Sequence, residues 1–262
     1  MEISLINKKA LVGGSTQGIG KAIALQLAAS GASVTLMARN EEKLKKVLAE
    51  LDTKLGQKHQ YLVVDFLKLE SFQEKVAAFF KNNQIDILVN NTNGPVAGTV
   101  LEKDTEDYQT AFNLLFQTVC FTTLQALPHM QKSNFGRVIN VSSVSVREPL
   151  AHLTLSNTIR TSVISWSKTL ATEVAKNHIT VNNILTGYFD TERLNSLINM
   201  QASAKKVEPA ILKLQMEQQV PAQRFGKPAE YGYLVTFLAS DQAAYITGTN
   251  IPIDGGLLKS IG

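Results

Sequence analysis

Gly14, Gly18 and Gly20 are the residues whose types and spacing most directly suggest chemistry. They follow a short apolar run, Ala10-Leu11-Val12, and lead into a helical pattern of Ala22, Ile23, Leu25, Leu27 and Ala28. A strand, a glycine turn and a helix start leave backbone N–H groups free at a positive helix end, which suits a diphosphate. Gly14 fits the tight turn, Gly18 lets a ligand approach the backbone, and Gly20 lets the helix pack close to the strand. Ser15, Thr16, Gln17 and Ile19 complete the candidate cradle. An ordinary turn at a helix start would use the same glycines; the strand and helix on either side favour a dinucleotide. An NAD site places a carboxylate about twenty residues past the glycines, on the ribose 2′-OH. That place here reads Met37-Ala38-Arg39-Asn40. With no acid to repel a 2′-phosphate and with Arg39 able to pair with it, the expected cofactor is NADP(H). The competing reading of Arg39 is a surface arginine at the start of a helix.

These residues need a scaffold, and the rest of the chain supplies an alternating one. Strands are expected over 10–12, 33–37, 60–64, 85–90, 137–142, 180–185 and 250–253. Helices are expected over 18–30, 41–54, 69–81, 104–131, 155–176 and 228–239. This alternation predicts an α/β fold: one Rossmann-type, doubly wound parallel sheet of about seven strands with helices on both faces. No linker or repeat interrupts it, so residues 1–262 read as a single domain. Helix 104–131 is apolar nearly all round between Ala111 and Leu127, a mark of deep burial or a subunit interface. Segment 191–221 carries helical patterns outside the alternation and reads as a substrate lid inserted in the domain.

Further motifs follow in order: Asn90-Asn91 after the fourth strand, Asn113 in the long helix, Gly136-Arg137-Val138-Ile139-Asn140-Val141-Ser142-Ser143, Arg224-Phe225-Gly226-Lys227-Pro228, Ile246-Thr247-Gly248 and Asp254-Gly255-Gly256. With Gly14-x-x-x-Gly18-Ile19-Gly20, they make the whole chain resemble the short-chain dehydrogenase/reductase family, most of all its 3-oxoacyl-carrier-protein reductase branch. The resemblance implies hydride exchange between a nicotinamide and a carbonyl or alcohol, with an acyl thioester among the possible substrates. It implies a homotetramer, and roles for Asn113 and Ser143 in catalysis and for Asn91, Asp65 and Thr191 at the cofactor. The family's usual machinery adds a Tyr thirteen residues after the Ser and a Lys four further on. Here those places hold Ser156 and Arg160, and none of the six tyrosines has Lys four residues later.

The departure has chemical consequences. The family's tyrosine passes a proton to the forming alkoxide, its pKa lowered by the neighbouring lysine and by the cofactor's positive charge. A serine hydroxyl is a far weaker acid. Arginine stays protonated, although it can stabilise an oxyanion or hold ribose hydroxyls. Ser156 and Arg160 stand at i and i+4, so both can face the cofactor from one side of a helix. His152, in a loop expected to border the substrate, could replace the missing acid, but a loop histidine is ordinarily just solvated. Tyr188 follows Thr186-Gly187 and reads as packing or as a second proton source. Asn93 stands where the family has glycine and tolerates φ > 0.

Composition narrows the alternatives. The chain of 262 residues is 44% hydrophobic and 18% charged, with net charge +4. This is enough for a sizeable core and too little clustered charge for nucleic acid. Cys120, the one cysteine, lies in an apolar run and is expected to be buried and inert, with no metal-ligand cluster. Residues 1–5 do not read as a secretory signal and no stretch reads as a membrane span, so the expected compartment is the cytoplasm. Two functions fit: an NADP(H)-dependent oxidoreductase with an altered proton-transfer site (Asn113, Ser143, Ser156, Arg160), or a nucleotide-binding scaffold or sensor that has lost catalysis.

Overall fold

The computed structural model describes residues 3–261; Met1 and Glu2, part of the start read for a leader, and Gly262 lie outside them. Seven strands, β1 (Lys9–Gly13), β2 (Ser33–Ala38), β3 (Gln60–Val63), β4 (Ile87–Asn90), β5 (Gly136–Ser143), β6 (Ile179–Thr186) and β7 (Asn250–Ile253), pair in parallel in the order β3-β2-β1-β4-β5-β6-β7. The order reverses between β1 and β4, and the crevice at the carboxyl ends of those two strands is where such sheets bind ligands. Helices α1 (Gly18–Ala29), α2 (Glu41–Glu50) and α9 (Pro228–Ala239) cover one face through Ile23, Leu27, Leu44, Tyr231 and Val235. Helices α3 (Leu69–Asn82), α5 (Thr118–Ser133) and α6 (Thr154–Val174) cover the other through Phe72, Val76, Ala126, Met130 and Leu170. Strands buried on both faces explain why their sequences are continuous apolar runs.

The expected helix 104–131 is divided. Helix α4 (Thr105–Phe112) passes into a π turn, Asn113–Gln117, before α5. Inside the turn the Thr118 N–H reaches back five residues to the Asn113 carbonyl. A single wide turn scarcely disturbs apolar periodicity, so the pattern could not show it; such turns are frequent at functional sites. Helix α2 stops at Glu50, short of the expected 54, where the Asp52 carboxylate accepts the Lys54 N–H at 2.8 Å and turns the backbone away. Segment 191–221 forms two helices, α7 (Glu192–Lys205) and α8 (Pro209–Gln219), which share a small core of Ile198, Ala202, Leu212 and Phe225.

One expectation about apolar burial is corrected. Cys120 is half-buried, because its position on α5 turns partly away from the sheet. Leu155, Ile159, Val163 and Leu170 of α6 are buried within the chain itself. Leu124 on α5 is exposed, while Phe121, Ile164 and Trp166 are half-buried.

Candidate active site

The glycine turn is built for close approach. Gly18 has φ +54°, a conformation that side chains resist, and a Cβ on Gly20 would collide with the Gly14 carbonyl. No side chain caps α1 at Gln17, which leaves the first-turn N–H groups of Gly18, Ile19 and Gly20 facing a cleft. The turn is held from behind. The fully buried Ser15 accepts the Met37 N–H at 3.0 Å, tying the loop to β2. Asn91 donates its side-chain amide to the Gly13 carbonyl at 3.0 Å. Ser15 lines neither cleft, and its hydroxyl anchors the loop to β2.

Two clefts meet over this turn. The first, of about 370 Å³, runs across the ends of β2 and β3 and is lined by Thr16, Ala38, Arg39, Lys43, Asp65 and Phe66 among others. Arg39 is exposed there, free to meet an anion. Lys43 on α2 donates to the Gln17 side chain at 3.2 Å, so a second cation stands beside the glycine turn. Sequence reading missed Lys43 because nothing but the fold brings α2 to this edge. Asp65 accepts the Leu67 N–H at 3.1 Å and shapes the turn after β3.

The second cleft, of about 280 Å³, lies over the ends of β5 and β6 and includes Ser143, Ser156, Arg160, Thr186 and Thr191. Ser143 ends β5 and its hydroxyl accepts the Ser145 N–H at 3.1 Å, leaving its proton free to donate. Arg160 donates to Ser156 Oγ at 3.2 Å and to the Val141 carbonyl at 2.7 Å. Burial pulls its guanidinium down to about 10, so it remains a cation at neutral pH. Thr191 caps α7 and sets its methyl against Gly18, so the lid segment starts directly over the diphosphate turn.

Other expected residues stand apart. Asn113 lines neither cleft and its side-chain oxygen accepts from Gln109 at 2.9 Å; the π turn it opens packs against α6. His152 is exposed, in the left-handed region at φ 60°, and outside both clefts. Tyr188 packs on Phe225 with ring centroids 5.9 Å apart, and burial pushes its phenol up. Asn93 does not take the left-handed conformation open to it. Among the described residues, no tyrosine, histidine or lysine lines the second cleft.

The strand ends are aligned by a feature invisible in any single motif. Asn90, Asn140, Asn183 and Asn250 occupy matching register positions on β4, β5, β6 and β7. Their amides bond in series at 2.8, 3.0 and 2.9 Å. This polar chain, buried at Asn90, Asn140 and Asn183, pins four strands next to Asn91 and Ser143.

Comparison with known proteins agrees with this architecture. A family model described as Enoyl-(Acyl carrier protein) reductase matches residues 14–258. The chain is 31% identical over 258 residues to the 3-oxoacyl-(acyl-carrier-protein) reductase FabG of Aquifex aeolicus, covering 98% of this chain and 100% of the relative. It is 29% identical to the NADPH-dependent reductase BacG of Bacillus subtilis, covering 97% and 99%. The crystal structure of L-sorbose reductase from Gluconobacter frateurii, complexed with NADPH and L-sorbose, shares the fold at a TM-score of 0.92 and 29% identity over 100% of both chains. Shared sequence over nearly the full length, on the same seven-stranded frame and glycine turn, places this chain in the short-chain dehydrogenase/reductase family of oxidoreductases.

Proposed function

We propose that this protein is an NADP(H)-dependent oxidoreductase, related in substrate type to 3-oxoacyl reductases, with an altered proton-transfer site. The glycine turn, with its uncapped helix start and the close approach at Gly20, fits a dinucleotide. Gly14, Thr16, Gln17, Gly18, Ile19 and Gly20 would cradle the diphosphate, with Ser15 and Asn91 holding the loop. Asp65 would border the adenine, Arg39 and Lys43 would take the 2′-phosphate, and Thr191 would close on the nicotinamide half. When bound, NADPH supplies a hydride to the carbonyl carbon of a small-molecule substrate, and the reverse reaction oxidises the alcohol.

The observation that carries this reading is the placement of Ser156 and Arg160 on α6, one turn apart and in one cleft with Ser143 and Gly18. Ser143 and Ser156 can donate hydrogen bonds to the substrate oxygen. Arg160 supplies positive charge to the oxyanion, and water delivers the proton. Asn113 sets the π turn against α6. Residues 1–262 act as one domain, 191–221 as its lid, and the protein works as a cytoplasmic homotetramer. No helix among the described residues is long and apolar enough to cross a membrane.

Loss of general acid catalysis costs on the order of a hundred- to ten-thousand-fold in rate, so slow turnover is expected. The test is NADPH consumption with a panel of carbonyl compounds that includes 3-oxoacyl thioesters. Measurable turnover that falls on Arg160→Ala supports the reading. Tight NADPH binding with no turnover on any substrate favours the scaffold or sensor instead, a reading suggested by the absence of a phenol or imidazole from the second cleft.

A further inference from the structure

The two clefts share six residues: Gly14, Gln17, Asn93, Gly94, Pro95 and Arg193. Arg193 is the only charged one. Arg39 and Lys43 face the first cleft alone and Arg160 the second alone. In a dinucleotide laid across both clefts, the point where the halves join is the diphosphate. We propose that Arg193 is the side-chain cation that binds the cofactor diphosphate and ties the first turn of α7 to it. The inference rests on the dinucleotide reading of the clefts.

Three observations carry it. Arg193 stands on the first turn of α7, one residue after Glu192 opens the helix, while the Thr191 cap touches Gly18. The lid therefore begins over the glycine turn and brings Arg193 with it. Its guanidinium reaches across to the opposite wall, with Nη2 donating to the Pro95 carbonyl at 3.4 Å, a long and weak bond. It makes no ion pair among the described residues and is exposed, so most of its N–H groups are free for a stronger acceptor. A diphosphate is such an acceptor: planar guanidinium and phosphate oxygens match geometrically, and the hydrogen bonds are charge-assisted.

Charge balance points the same way. The second cleft holds Arg160 and Arg193 against one acid, Glu192. The field of Arg193 adds a smaller downward push to the effect of burial on Arg160. A dianion placed between them relieves that repulsion. The backbone N–H groups of the glycine turn answer one side of the diphosphate, and Arg193 answers the side that faces the lid.

The consequence concerns the substrate. Leu194 and Leu197, on the same helix, line the second cleft. Drawing α7 down onto the cofactor would draw these side chains over the substrate space. The apolar wall of the substrate pocket would then be complete only when Arg193 holds the cofactor.

The test compares NADPH with adenosine 2′-monophosphate, which keeps the adenosine half and lacks the diphosphate. Binding to the full-length chain and its Arg193→Ala variant is measured by calorimetry, alongside hydrogen exchange over residues 192–219. The expected result is an NADPH Kd raised about tenfold in Arg193→Ala, partial recovery in Arg193→Lys, and unchanged adenosine 2′-monophosphate binding. NADPH should slow exchange in 192–219 of the unchanged protein far more than in Arg193→Ala. Equal loss for both ligands, or no loss for either, overturns the proposal. If the unchanged protein fails to bind NADPH at all, the dinucleotide reading itself falls and takes this inference with it. A melting temperature unchanged by the substitution in the absence of ligand confirms that the variant is folded.

Discussion

Arg160 places a permanent charge where the resembling enzymes carry a tunable lysine, and Ser156 places an aliphatic hydroxyl where they carry a phenol. In the proposed site both replacements keep hydrogen bonding and would leave proton transfer to water. The two side chains are bonded to each other, and Arg160 is held again at the Val141 carbonyl. Restoring one without the other leaves the relay incomplete: tyrosine needs a neighbouring cation that suits it, and lysine alone has no acid to tune. Ser156→Tyr with Arg160→Lys is therefore expected to raise turnover by about a hundredfold, with each single change giving less. Steady-state kinetics on a substrate already turned over slowly would check this. Brisk turnover by the unchanged protein that is indifferent to both positions would place the proton source elsewhere.

Arg39 bears on the choice of cofactor. It stands exposed beside Lys43 at the end of β2, with Ala38 adding no negative charge. NADPH is expected to bind more tightly than NADH, and Arg39→Asp to reverse the order by setting a carboxylate against the 2′-phosphate and beside the ribose 2′-OH. Calorimetry with both cofactors on both proteins decides it. Equal binding of the two cofactors to the unchanged protein would sink the claim.

At the scale of elements, the helix ends explain how the site is held. Helix α9 underlies β5 and β6 from the far face, and its start is fixed by Glu230. That carboxylate accepts two bonds from Arg224, at 2.9 and 2.6 Å, and the Lys227 N–H at 2.6 Å. These bonds, the Arg224 guanidinium first among them, hold Glu230 down at about 2. Its folded pKa thus lies below the ordinary 4.5, so its contribution to stability is full above that pH and is lost as pH falls toward 2. Both partners are substantially exposed, so the effect is modest and screened by salt. Glu230→Gln is expected to melt lower than the unchanged protein near pH 7, with the gap closing as pH drops below about 4.5. Thermal melts across that range at low and high salt would test it; a gap independent of pH would assign the loss to packing.

The π turn belongs to this scale too. It inserts one wide turn where α4 meets α5 and sets that segment against α6, the helix carrying Ser156 and Arg160. Asn113 lines neither cleft, and the π turn it opens packs against α6.

For the whole molecule, the open question is assembly. Leu155, Ile159, Val163 and Leu170 of α6 are buried inside the chain, whereas Leu124 on α5 is exposed and Phe121, Ile164 and Trp166 are half-buried. Apolar side chains turned outward on these helices are where a subunit contact would form. Light scattering at micromolar concentration is expected to give four times the 28.6 kDa chain mass, and Leu124→Glu to shift the protein toward smaller species. A monomer in the unchanged protein would rule the tetramer out.

What the sequence determined by itself is what local chemistry records. Apolar runs and periodic faces specified seven strands and the helices between them, because a doubly wound sheet buries its strands on both sides. The glycine turn was legible because its backbone conformation and close approach demand glycine whatever surrounds it. That no tyrosine has a lysine four residues later was equally plain, being a matter of residue identity. Tertiary structure alone decided the rest. Lys43 and Arg193 look like any surface cations until the fold sets one beside Gln17 and the other between two clefts. Asn90, Asn140, Asn183 and Asn250 become one bonded chain only when four distant strands take their register. The π turn and the half-burial of Cys120 depend on how one helix packs against its neighbours. Periodicity is a property of a segment, whereas each of these is a property of contacts between residues far apart in the chain, and only packing sets those.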